Sequence, residues 1–174
     1  MKIEIPKVAS VVENAYHGTG LEIAERIRNG EQFQPSKGDR HFLGDGVYFF
    51  EGSKELAKRW AKQQHGEIAI LCAEIALGIC LDLNTMEHRR ILMEARDQLI
   101  ARLKVTDINK VRDVTDGWVI NFFATKIIRE LDTVKYTFIR NDAKALYPSS
   151  RIKSVEPMIC VRNTASISNI EIEN

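Results

Sequence analysis

The run EIAILCAEIALGICLDL, residues 67 to 83, constrains the fold more than any other stretch. Between Ile68 and Leu81 only Glu74 carries a charge, and the residues are rich in β-branched and alternating apolar side chains. Such a run reads as buried strands that need cover on both faces. Gly78 divides it into two expected strands, EIAILCAEIALG and ICLDL. Shorter strand signals recur in VASVV (ending near Asn14), GVYFF, TVKYTFIR, PMICV and ISNIEI. Four helical patterns stand among them. LEIAERIRNG puts Leu21, Ile23, Ala24 and Ile27 on one face and stops at Gly30, while KELAKRWAKQQH follows the capping Ser53 with Leu56, Ala57, Trp60 and Ala61 inward. Asn84 and Glu87 form a capping-box pattern for a helix to about Lys104, and Asp116 is placed to cap GWVINFFATKIIREL, which is apolar nearly all round. Strands outnumber helices and do not alternate with them, so the expected class is α+β with an antiparallel sheet. A chain of 174 residues is one domain, 1–174.

The charge balance excludes a global polyanion-binding field, since the net charge is +1. It is uneven, however: residues 121–163 hold 8 Lys and Arg against 4 Asp and Glu, a local excess of +4. That stretch suits either a solvated basic surface or a phosphate-tracking face. Cys72, Cys80 and Cys160 lie in apolar strand-like runs and cannot all pair, which fits reduced thiols, and their spacing does not suit a zinc site. MKIEIPKVAS is too polar for a signal peptide and the apolar runs are far shorter than a membrane span. The expectation is a soluble cytoplasmic protein with no metal and no membrane partner.

Two polar, glycine-bearing motifs carry the chemistry. NAYHGTG sets His17 in a turn-like run ahead of the first helix, and LGDGVYFFEGSKELAKRWA sets Gly44 and Gly46 around Asp45, then Tyr48 on a strand, then a capped helix. The loop between them, residues 29 to 46, is long enough to suggest a functional role. Read alone, His17 is an ordinary loop histidine and Tyr48 an ordinary core aromatic.

Taken in order, YHGT, LGDGVYF and LCAEIALG resemble the ADP-ribosyltransferases of the poly(ADP-ribose) polymerase type. The resemblance covers residues 10–83 well and 154–172 loosely, and leaves residues 84–130 as a helical insertion. It implies split antiparallel β-sheets enclosing a cleft for NAD, the co-substrate. It also implies roles. His17 would donate a hydrogen bond to an adenosine ribose hydroxyl, Gly18 would clasp the nicotinamide carboxamide through its backbone, Thr19 would belong to the same binding strand, and Tyr48 would stack on the nicotinamide ring. The family's third catalytic position is a carboxylate on a late strand. In VEPMICVRNTASI an ungapped register puts Met158 there, yet Glu156 shares its strand face and a bend at Pro157 would bring it to the cleft. Both assignments stay open, and both point to single rather than polymeric transfer.

The implied activity is therefore NAD-dependent mono-ADP-ribosyl transfer to a protein, RNA or DNA acceptor with release of nicotinamide. Small free-standing members of the superfamily are frequently toxins restrained by an inhibitory partner such as an antitoxin. Two alternatives compete. One is a catalytically inactive NAD or ADP-ribose-binding module, favoured by Met158; the other is an RNA 2′-phosphotransferase, against which stands the lack of an arginine-rich pattern.

Overall fold

The computed structural model describes residues 3–38, 41–104, 113–140 and 143–173. Its strands are β1 (Lys7–Gly20), β2 (Val47–Glu51), β3 (Ile68–Asp82), β4 (Thr133–Ile139), β5 (Val155–Val161) and β6 (Ile167–Glu173). Its helices are α1 (Leu21–Arg28), α2 (Lys54–Gln64), α3 (Met86–Leu103) and the helix Asp116–Lys126, called α4. Among the described residues none of these helices is long and apolar enough to cross a membrane.

The strands do not form the split antiparallel sheets that the sequence led us to expect. They close into a five-stranded mixed β-barrel in the order β1-β2-β5-β4-β3, with β3 pairing back onto β1, while β6 lies against β3 outside the ring. The pairing of β3 with β4 is parallel, through Cys80↔Thr133, Leu81↔Val134 and Asp82↔Lys135. A parallel pair needs a long crossover, and the segment carrying α3 and α4 is that crossover. The expectation of an antiparallel sheet failed because this segment looked like a decoration rather than a connection.

β1 is longer than VASVV and runs through the histidine motif to Gly20. Register shifts between Val8 and Val11 and between Val12 and Ala15 break its alternation, which is why NAYHGTG reads as a turn when it is strand. β3 is likewise one strand of 15 residues. Gly78 within it has φ +60, and a Cβ there would overlap the Asp132 carboxylate, whose Oδ2 accepts from the Ile79 amide at 2.9 Å.

Helices α3 and α4 each begin one residue from the expected cap. Thr85 rather than Asn84 accepts from the His88 amide, and Thr115 rather than Asp116 accepts from the Trp118 amide. Asn84 instead ties the helix start to β4, its Oδ1 accepting from the Thr137 amide at 2.9 Å. Ser53 caps α2 as expected, through the Leu56 amide. Alternate strand residues feed two cores. Phe50, Leu81, Val134, Met158 and Cys160 pack with Ala57 and Ala61 of α2, Ala95 and Leu99 of α3, and Ile120 and Phe123 of α4. Phe49, Leu71, Ala73, Ile75, Ile159 and Val161 pack with Ala24 and Ile27 of α1. Cys80 and Cys160 are buried, Cys72 is half-buried, and all three are free thiols.

Candidate functional site

The candidate site opens where β1 and β2 part. Their pairing ends at Tyr16↔Phe50, so the next residues of β1 have no ladder partner on that side. The His17 side chain fills the gap, its Nδ1 lying 2.8 Å from the Tyr48 carbonyl oxygen. A carbonyl only accepts, so Nδ1 carries the proton and donates. Burial lowers the pKa of His17 below its ordinary 6.5; the bond to Tyr48 opposes that shift and nearby His65 adds to it. The ring is thus neutral near pH 7, with Nε2 a free acceptor bonded to no group among the described residues. Edge-on contact with Phe33, at 5.4 Å between centroids, and tilted contact with Phe49, at 5.5 Å, fix its plane.

Tyr48 is fixed from the other end. Its hydroxyl donates to the Gly44 carbonyl at 2.7 Å and accepts from the Leu43 amide at 3.0 Å. Burial raises the phenol well above its ordinary range, so it stays protonated and only the ring is left for a ligand. The Leu43–Gly46 loop is clamped in turn. Asn121 accepts from the Asp45 amide at 2.8 Å and donates to the Asp45 carboxylate at 3.0 Å, while Arg162 donates to the Asp45 carbonyl at 2.8 Å. Gly44 has φ +77, and a Cβ at Gly44 or Gly46 would press on Asn121 or on Cys160. These glycines admit the protein's own neighbours.

Gly18 follows the same logic. A Cβ there would overlap the Ala57 carbonyl and crowd Ala61, so the missing side chain makes room for α2. Its backbone still borders the cavity.

His17, Gly18, Tyr48 and Met158 line one cavity of about 320 Å³, with His41, Phe42 and Trp60 completing much of its wall. That volume falls within the roughly 300–1,000 Å³ range of small-molecule sites. Thr19 does not line it: the residue is buried and pairs with Ala69 of β3. Glu156 lies beyond the cavity in an adjoining recess of about 160 Å³, whose wall shares Phe42, Phe50, Trp60 and Met158. Its carboxylate accepts from Arg59 at 2.6 Å and lies 3.7 Å from Arg140. The β5 register therefore sets Met158 beside His17 and Tyr48, and Glu156 one step outward.

Several residues of this region were not singled out from the sequence. Trp60 was read as facing inward, but it is 44% exposed and forms the wall common to cavity and recess. Phe42 is 61% exposed at the same boundary. An aromatic residue inside an otherwise polar loop was the available signal for Phe42; Asn121 and Arg162, in helical and strand-end contexts, offered none. The basic excess of the C-terminal stretch does not form one face. Lys135 pairs with Glu51 at 2.8 Å, Arg140 lies near Glu156, and Arg129 borders a separate polar cavity with Asp132. Among the described residues no cluster of three or more His, Cys, Asp or Glu is placed to hold a metal ion.

Fold and site together define a small mixed-barrel domain with a histidine–tyrosine cavity at a parted strand pair. No family model matches the chain. It is 32% identical over 186 residues to the uncharacterized protein MJ0359 of Methanocaldococcus jannaschii, an alignment covering 90% of this chain and 85% of that protein. The chain belongs to the same family as MJ0359.

Proposed function

We propose that this protein is an NAD-dependent mono-ADP-ribosyltransferase whose nicotinamide half-site is the cavity at the β1–β2 parting. One observation carries the reading: two motifs 31 residues apart meet there through the His17–Tyr48 hydrogen bond and open with Met158 onto one cavity. The reading assigns NAD a defined bond change. The C–N bond between nicotinamide and ribose breaks with its electron pair going to nicotinamide, an acceptor atom bonds to the ribose carbon, and the acceptor's proton leaves. His17 contributes through Nε2, which accepts from a ribose hydroxyl, the reverse of the polarity expected from the sequence. Tyr48 offers a ring already immobilised by its hydroxyl, so little orientational freedom is lost on binding. Met158 supplies an apolar wall. Glu156, in the recess through which an acceptor would approach, takes the acceptor's proton once Arg59 yields to the incoming molecule.

A second reading is favoured by the same ion pair. With its carboxylate engaged by Arg59 and Arg140, Glu156 suits a chain that binds NAD or ADP-ribose without turning it over. Phosphotransfer from an RNA 2′-phosphate has less support, because among the described residues no Lys or Arg lines the cavity.

Nicotinamide release and NAD calorimetry on the wild-type chain separate the first two readings: release supports transfer, whereas tight binding without release supports the module. His17→Ala and Tyr48→Ala should each lower release on the order of 10²-fold. Glu156→Gln should lower transfer about 10²-fold or more while NAD affinity stays within about twofold. Wild-type rates in all three variants would end the assignment.

A further inference from the structure

Phe42 walls the NAD cavity on one side and, on the other, a groove of about 400 Å³ between β4 and helices α3 and α4. The groove has an aromatic floor. Tyr136 and Phe138 meet at 4.7 Å with rings perpendicular, and Phe42 meets Phe138 at 5.6 Å. It also has a cationic rim. The Arg89 guanidinium lies 5.6 Å from the Tyr136 ring centroid, held there by donation from Nε to the Leu83 carbonyl at 2.6 Å. Arg96, half-buried, has Asp97 at 4.0 Å as a weak partner. Residues 89 and 96 share one face of α3, about 10 Å apart along its axis. Asp116 is the one acid on the described lining.

We propose that this groove seats an unpaired base of a single-stranded nucleic acid, and that this strand is the ADP-ribose acceptor; the inference rests on the transferase reading above. Aromatic rings bind any base through its π-face, and guanidinium groups beside them bind the flanking phosphates and add cation–π attraction. A base seated between Arg89 and Arg96 has a cation toward each neighbouring phosphate, and Asp116 can accept from an exocyclic amino group. A base inside a duplex keeps both faces stacked and cannot enter. A peptide without regularly spaced acidic side chains would use the floor but leave the two guanidinium groups without incoming anions, whereas a nucleic-acid strand carries a phosphate on each side of every base. The acceptor class follows from that charge complementarity. In the transfer, a nucleophilic nitrogen or oxygen of the adjacent nucleotide, placed in the Glu156 recess that Phe42 also walls, forms the bond to the ribose carbon as nicotinamide departs with the electron pair. That adjacent nucleotide loses its proton toward Glu156.

The test is fluorescence anisotropy with labelled single-stranded DNA and RNA of about 12 nucleotides, and with the matching duplexes, at low salt. The wild-type chain should bind a single strand at least about tenfold tighter than the duplex. Phe138→Ala should weaken that binding about tenfold and Arg96→Gln severalfold, with melting curves showing that each variant is folded. Arg96→Gln, at a half-exposed position, keeps the test open should Phe138→Ala fail to fold. Equal affinity for single strand and duplex, or undiminished binding by folded variants, overturns the proposal. So does labelled NAD marking only protein when protein and oligonucleotide are offered together. Nicotinamide release by the wild-type chain, measured with and without oligonucleotide, reports on the other reading: strand binding with no release in either case overturns the transferase and leaves the base-binding groove standing.

Discussion

His17 couples the site to acidity. Its folded-state pKa lies below the ordinary 6.5 because the ring is buried, so as pH falls the unfolded chain takes up the proton first. Stability from this residue is complete above about pH 6.5 and declines as pH drops below it, until the folded-state pKa is passed. Urea unfolding midpoints at about pH 7.5 and 5.5 should therefore fall more in the wild-type chain than in His17→Gln, which cannot titrate. Parallel slopes would show that His17 is not the titrating group. The glycine-bearing motif around this histidine was legible in the sequence; which ring nitrogen is free was not. The tautomer depends on the Tyr48 carbonyl, a backbone group 31 residues away that no local pattern names.

Helix α2 owes its seat on β1 to the residue after that histidine. Gly18→Ala would drive a methyl group into the Ala57 carbonyl, and overpacking of this kind costs roughly 1–3 kcal/mol or more. Denaturant unfolding should register that loss even without ligand, and an unchanged midpoint would return Gly18 to a purely ligand-facing role. Both motifs, the capped helix and most strand positions were readable because they depend on local periodicity and turn chemistry. The reason for each glycine was not, since sequence shows that a close approach occurs but not what approaches. The full length of β1 was hidden for a related reason: its bulges displace the alternation by which strands are recognised. The β5 alternation was read correctly as putting Glu156 and Met158 on one face. Only the structure could show that the face spans two chambers, with the methionine in the inner one.

Ring closure depends on short seams, two residue pairs between β1 and β2 and three between β3 and β4. Asp132 reinforces the second. Its carboxylate accepts from the Ile79 amide at 2.9 Å and from the Asn163 side chain at 2.8 Å, and its carbonyl accepts from the Arg162 amide at 2.8 Å. Asp132→Ala should cost about 1–3 kcal/mol and speed hydrogen exchange at Ile79 and its neighbours ahead of the central β1–β3 pairs such as Ala15↔Ala73 and His17↔Leu71; uniform exchange across both would refute a local role. No periodicity reveals such a seam, because a parallel pairing across a helical crossover leaves no mark on either strand alone. Phe42 has a whole-molecule consequence of another kind. One exposed ring partitions two chambers, so an occupant that pushes it either way changes the shape offered to the other. Thermodynamic linkage makes any such influence mutual: whatever factor a groove ligand applies to the dissociation constant of a cavity ligand, the cavity ligand applies to the groove ligand's. Were both chambers filled at once, that phenyl group would be the wall through which the two occupants communicate.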